Sequence, residues 1–223
     1  SVLAASLPYL PAGVHLAVVD PGVGAVGPDA RRAVALRTVR EGRLLVGPDN
    51  GLLMPAAQAY GGVAEAVDIG ESRERLDPVS RTFHGRDIFA PVAAALAAGA
   101  PPASLGSALA PDGLRGLELP AARVSGARLM AHVLRCDTFG NLILDARAEQ
   151  LERLGARIGG RLTLAHAGRR HHARYASTFG DVPPGELLIY EDAQRMLALA
   201  VNRGSAAGLL GAGPADELTV SRE

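Results

Sequence analysis

The chain has 223 residues and no lysine; all 23 of its basic residues are arginine. Chemistry that needs a primary amine is therefore excluded, both Schiff-base catalysis and a Walker-type phosphate loop. Cysteine is nearly absent too. Cys136 stands alone, so no internal disulfide or cysteine-cluster metal site can form, which fits a reducing compartment. Neither sign of charge is in excess, since 23 acidic residues balance the 23 basic ones. With no block of like charges, nothing marks a nucleic-acid or anionic-membrane surface. No apolar run approaches the roughly 20 residues of a membrane span. The opening SVLAASLPYLPAG lacks a basic flank and is interrupted by proline, unlike a secretory signal. The expectation is small-molecule chemistry in the cytoplasm, without nucleic acid or membrane as partner.

What is present suffices for a buried core, with 48% apolar residues. Strand-like runs at His15 to Asp20, Ala33 to Arg37, Arg43 to Val46 and Val63 to Val67 alternate with a helix-like Leu52 to Tyr60. The alanine-rich Arg86 to Ala98 reads as the clearest helix, ended by Gly99-Ala100-Pro101-Pro102. This predicts an α/β domain over 1–110 with a mixed, largely parallel sheet. A Pro- and Gly-bearing linker over 111–123 follows. The remainder, 124–223, predicts a β-rich antiparallel domain, from short strand-like runs starting near Arg128, Asn141, Arg161, His172, Gly185 and Arg195.

Three stretches carry candidate chemistry. VVDPGVGAVG contains a literal G-x-G-x-x-G over Gly22 to Gly27. A dinucleotide loop would need its last glycine to open a helix and an acidic residue at the end of the next strand. Here Pro28 and Asp29 follow, then a β-like run, so a glycine turn leaving a strand is expected. Asp20 remains notable, as a carboxylate at the carboxyl end of an apolar strand, where α/β sheets hold ligands. The second stretch, RTFHGRDIF, puts His84 just before a helix, where it either caps the helix or faces a ligand. Arg86 and Asp87 read as an ion pair in the first helical turn. The third, DTFGN over Asp137 to Asn141, is either a turn satisfying its own backbone or a grip for an amine and a nucleobase edge. His171 and His172 are placed at a hairpin tip and His15 in a strand. No histidine spacing suits a metal.

Taken in order, VVDPGVG, VGPDNGLL, TFHGRDIFAP, DTFGNL and AVNRGSAA resemble the S-adenosylmethionine hydroxide adenosyltransferases, relatives of the fluorinases and chlorinases. The resemblance implies an α/β domain joined to a β-rich domain, and trimers whose sites lie between subunits. It implies hydrolysis of S-adenosylmethionine to adenosine and methionine by attack of water or hydroxide on the ribose C5′, with no cofactor. The family's Asp-Arg-His set maps onto Asp20, Arg31 and His84; the loop before Arg31 is lengthened, and Arg32 is the alternative. Phe83 and Gly85 would then lie near the substrate and the nucleophile, Asp137 would hold the methionine ammonium, and Asn141 would hydrogen-bond the adenine. Two further readings stay open: a halogenase, disfavoured because the triad is kept, and a non-catalytic binder of adenosine or S-adenosylmethionine.

Two departures accompany the resemblance. The family's first strand and its T-D-F-G-like motif, which supplies a ribose-binding aspartate, have no counterpart in this sequence. A trimmed chain is expected, because a true fragment would expose sheet edges. Near the end, Glu191 to Arg195 replaces an N-S-x-G-like stretch, leaving that stretch's contacts to the methionine carboxylate and the adenine unassigned.

Overall fold

The apolar run from Ala33 forms β2 (Ala33–Thr38), the middle strand of a five-stranded sheet. Its neighbours are β3 (Leu44–Pro48) and β4 (Val63–Asp68), with β1 (Val14–Leu16) and β5 (Ser107–Leu109) at the edges. In this computed structural model residues 2–27, 30–118 and 120–223 are described, and the chain divides into two compact units, 1–118 and 119–223.

Strand alternation sends Val34 and Leu36 to one face of the first sheet and Ala33 and Ala35 to the other, all buried. The Val34 face is covered by Leu7, which follows α1 (Val2–Ser6), and by Ala56 and Ala57 of α2 (Met54–Ala59). The Ala33 face packs against Phe89 and against Val92 and Leu96 of α3 (Ala90–Ala97). The sheet is mixed, yet only β1 and β3 run parallel; the other three pairings are antiparallel. The expectation of a largely parallel sheet is corrected accordingly. Burial on both faces suggested parallel strands, but helices on both sides bury an antiparallel sheet equally well. The turn between β2 and β3, where Glu41 and Gly42 take φ of 63° and 58°, is too short for a parallel crossover.

Two local features position the site. The ladder of β1 ends with Ala17 N donating to the Val46 carbonyl at 2.9 Å, so Val18 to Asp20 leave the sheet rather than extend it. β1 reaches β3 this closely because residue 47 is glycine: a Cβ there would collide with the Ala17 carbonyl oxygen. The helix expected from Arg86 starts instead as a π-helical turn, Gly85–Phe89, before continuing as α3.

The second unit is a closed seven-strand barrel. Around it run β13 (Glu217–Arg222), β9 (Arg161–His166), β10 (Arg169–Tyr175), β11 (Leu187–Glu191), β12 (Leu197–Val201), β8 (Leu142–Leu144) and β7 (Arg128–Cys136). The β13–β7 pairing closes the ring, and β6 (Arg123–Ser125) adds to β7 outside it. Closure removes the sheet edges that an open antiparallel sheet would expose. All pairings are antiparallel except β10–β11. Leu129, Leu162, Leu164, Leu199 and Leu218 fill the interior. The helices α4 (Ala148–Arg153) and α5 (Ala206–Leu210) complete the unit. The β9–β10 turn is Ala167–Gly168, both at positive φ, so His171 and His172 lie within β10 and not at the hairpin tip. Among the described residues, no helix is long and apolar enough to cross a membrane.

Leu164 is fully buried in the barrel. Leu164→Ala should lower unfolding free energy by about 2–5 kcal/mol, the range for leucine truncation in a packed core. Urea denaturation of the two proteins measures this; a loss under about 1 kcal/mol would contradict the assigned interior.

Candidate active site

Asp20, Arg31 and His84 come from three separate parts of the first unit and meet. Asp20 stands just past β1, Arg31 just before β2, and His84 at the start of the π-helical turn. Arg31 Nε donates to both Asp20 carboxylate oxygens at 3.0 Å, and Arg31 Nη2 adds a close contact to Oδ2. Each side chain of this pair is only 7% exposed, so water screens the attraction weakly. The same Nη2 donates to His84 Nδ1 at 2.9 Å. Behind it, the Arg31 guanidinium lies 5.3 Å from the centroid of the buried Phe89 ring, a cation–π contact that fixes the plane of the fork.

Arg32 points elsewhere. Its Nε donates to Asp49 Oδ2 at 2.8 Å, its Nη2 reaches the Gly113 carbonyl, and Asp49 Oδ1 accepts from Arg115 N at 2.9 Å. Of the two arginines, Arg31 joins Asp20 and His84 while Arg32 ties strand ends to the 113–115 segment. Side-chain alternation produces that split, since adjacent residues entering β2 face opposite ways.

The loops that carry the cluster are pinned. Asn50 Nδ2 donates to the Val19 carbonyl at 2.8 Å, holding the chain one residue before Asp20. The glycine pattern forms tight turns, with Val23 N donating to the Asp20 carbonyl at 3.2 Å. Gly24, at φ 77°, brings this loop against the histidine loop: a Cβ there would stand 2.7 Å from the Arg81 carbonyl oxygen. Pro28 and Asp29, in the lengthened part of the loop, lie outside the described residues. The Arg86–Asp87 ion pair forms with Nε–Oδ1 2.5 Å. Buried Asp87 also accepts from Ser80 N at 2.7 Å, a link to the histidine loop that no local motif announces.

Phe83 and Gly85 flank His84 in the chain. Phe83 is 55% exposed, with the Arg86 guanidinium 4.8 Å from its ring centroid. Among the described residues, a Cβ on Gly85 would meet only Val18 Cγ1, at 3.8 Å. Asp137 and Asn141 belong to the barrel unit, at the β7–β8 turn. Asp137 Oδ1 accepts from Phe139 N and Asn141 N at 2.9 Å, and Oδ2 accepts from Asn141 Nδ2 at 2.8 Å. Burial opposes ionisation of Asp137, but the hydrogen bonds from Asn141 and Phe139 prevail and hold its carboxyl below the usual range. It is an anion at neutral pH with acceptor capacity to spare on Oδ2. Among the described residues, no group of three or more His, Cys, Asp or Glu could hold a metal ion.

Chemically, the first-unit cluster presents a carboxylate, a fixed guanidinium and a neutral-leaning imidazole. Burial lowers the His84 pKa first, and the Arg31 charge lowers it further, against the smaller opposing pull of Asp20, Asp87 and the Ser80 carbonyl. Such a set can orient a small polar molecule and stabilise anionic character on it. It holds no nucleophilic thiol, hydroxyl or amine.

Two family models match the chain: the SAM hydroxide adenosyltransferase N-terminal domain over residues 1–106 and its C-terminal domain over residues 131–219. An (R)-S-adenosyl-L-methionine hydrolase from Salinispora tropica is 51% identical over 221 residues, covering 99% of this chain and 79% of the relative. A hydrolase of the same name from Thermus thermophilus is 42% identical, covering 92% of this chain and 75% of its own. A fluorinase from an Actinoplanes species is 29% identical, covering 80% of this chain and 61% of that protein. The solved structure of an uncharacterised conserved protein from Thermotoga maritima superposes with TM-score 0.89 at 35% identity, over 99% of this chain and 81% of that one.

The site geometry makes a pH prediction. The folded-state pKa of His84 lies below its ordinary 6.5, so the unfolded chain binds this proton more readily. The stability contributed by the neutral ring is full above pH 6.5 and is lost as pH falls through the lowered value. NMR titration of the His84 ring should give a midpoint below 6.5, and His84→Gln should remove this part of the stability loss in acid. A midpoint above 6.5 would contradict the assigned surroundings.

Proposed function

Because the chain belongs to the SAM hydroxide adenosyltransferase family, we propose that it hydrolyses S-adenosyl-L-methionine to adenosine and L-methionine. The observation that carries this reading is the convergence of Asp20, Arg31 and His84 on one another from three distant positions. The relatives' names specify the (R) form of the substrate, and the proposal takes over that preference.

The chemistry suits the cluster. The sulfonium leaves as a neutral thioether, so the leaving group needs no acid. The difficulty lies with water, a weak nucleophile that must be held in line with the C5′–S bond. Orientation of this kind is worth up to about 7–11 kcal/mol in the best intramolecular cases. The triad supplies the groups that orient the water, and the Arg31 charge stabilises hydroxide character as it grows. No cofactor or metal is required by this sequence of steps.

Substrate binding is assigned in the same proposal to Phe83 and Gly85 beside the triad, with Asp137 on the methionine ammonium and Asn141 on the adenine. An ionised Asp137 with a spare acceptor site supports the ammonium contact. A homotrimer with sites between subunits completes the proposal. Exposed apolar side chains on both units support it: Val18, Val19 and Phe83 near the triad, and Phe139 on the barrel turn. A cytoplasmic place of action is included, which the single free Cys136 suits.

Incubation with each sulfonium epimer in oxygen-18 water tests the activity. Labelled adenosine plus methionine is the expected result; halide-dependent halo-adenosine, or binding without turnover, would sink it. His84→Ala should reduce turnover at least about tenfold. Asp137→Asn should raise KM at least about tenfold with a smaller effect on kcat, since a charge-assisted bond is worth about 1.5–3 kcal/mol; an unchanged KM would remove Asp137 from the ammonium site.

A further inference from the structure

A histidine that takes a proton from water needs a ring nitrogen whose lone pair is free. In His84 neither nitrogen meets that condition. Arg31 Nη2 lies 2.9 Å from Nδ1, and a guanidinium only donates and stays protonated. Nδ1 is therefore the acceptor, which places the single proton of the neutral ring on Nε2. The Ser80 backbone acts on the ring in the direction that favours its protonated form.

The surroundings hold this arrangement in place. Ser80 N is tied to Asp87 Oδ2 at 2.7 Å, and the Asp87 side chain is 1% exposed and paired with Arg86. On the other side, Arg31 is held by Asp20 and by the Phe89 ring. The charged groups acting on the ring are Asp20, Arg31 and Asp87. A second proton, on Nδ1, would have to face the guanidinium N–H directly.

We infer that His84 is a neutral, Nε2-protonated bridge that positions the Arg31 guanidinium, and that Asp20 is the member of the triad that accepts the proton of the attacking water. The second half rests on the hydrolase reading; the first stands on the geometry alone. Arg31 makes three contacts to the Asp20 carboxylate, one on Oδ1 and two on Oδ2, so Oδ1 keeps acceptor capacity for one more hydrogen bond. In the reaction a lone pair of the water oxygen forms the C5′–O bond, and the C5′–S electrons leave on the methionine sulfur. The water proton passes to the Asp20 carboxylate and from there to solvent, so the products are adenosine, methionine and one proton. His84 gains and loses nothing. Its loss would leave an Arg31 N–H without its acceptor and the guanidinium free to turn.

Nitrogen-15 NMR of histidine-labelled wild-type protein above pH 7 tests the tautomer directly. Nδ1 should resonate as an unprotonated, pyridine-like nitrogen and Nε2 as a protonated one; the opposite pattern overturns the inference. Kinetics test the division of roles. In His84→Asn the amide oxygen can replace Nδ1 as the acceptor for Arg31 but cannot serve as a base. It should turn over faster than His84→Ala, which offers Arg31 no acceptor, whereas Asp20→Asn should lose at least about a hundredfold, the scale of a removed general base. His84→Asn falling as far as Asp20→Asn would overturn it equally. Should wild-type protein release no adenosine, the hydrolase reading fails, and the NMR pattern still decides the state of His84.

Discussion

The ion pair between Arg31 and Asp20 is the interaction on which the site depends. Both side chains are almost wholly withdrawn from water, and each alone would carry a desolvation cost of several kcal/mol. Together they form a fork in which one guanidinium edge meets one carboxylate, a geometry that fixes orientation as well as distance. The free face of the guanidinium then decides the state of His84, because a group that only donates turns whichever nitrogen it meets into an acceptor. A carboxylate and an imidazole set side by side without the arginine between them would not have their protonation states fixed in this way.

That pair is useful only because the loops bearing it are held by groups that take no part in it. Asn50 fixes the backbone before Asp20, Gly24 allows the Asp20 loop to lie against the Arg81 carbonyl, and Asp87 anchors Ser80 ahead of His84. Arg32 and Asp49 fasten the other side. The sheet contributes through β1, which stops its ladder at Ala17 and releases three residues toward the cluster. A rigid scaffold carrying functional groups on short, pinned loops is the usual division of labour in such folds.

Much of this was legible in the sequence. The strand runs at Ala33, Arg43, Val63 and Arg128 and the helix at Leu52 correspond to elements of the structure, because apolar alternation and Pro-Gly punctuation act locally. Strand direction was not legible, since a helix on each face of the first sheet mimics the composition of a parallel one. The short β13 was not anticipated although its Leu218 and Val220 alternate inward; barrel closure, a long-range pairing with β7, is what makes that segment a strand. His171 and His172 were displaced from the expected tip because the turn uses Ala167 and Gly168, two residues that a search for polar turn formers passes over.

The sequence by itself determined which chemistries were excluded, since the absence of lysine and the single cysteine are facts of composition. It also determined, through ordered motifs, that Asp20 and His84 were the residues to watch. Only the tertiary structure showed that Arg31, and not Arg32, contacts Asp20 and His84, since neighbours entering one strand differ solely in the face they present and no local pattern says which face meets Asp20. It alone placed the Arg31 guanidinium on the imidazole of His84 and on the carboxylate of Asp20. Those contacts join residues as many as 53 positions apart; the proton on an imidazole answers to whatever group the fold brings beside it.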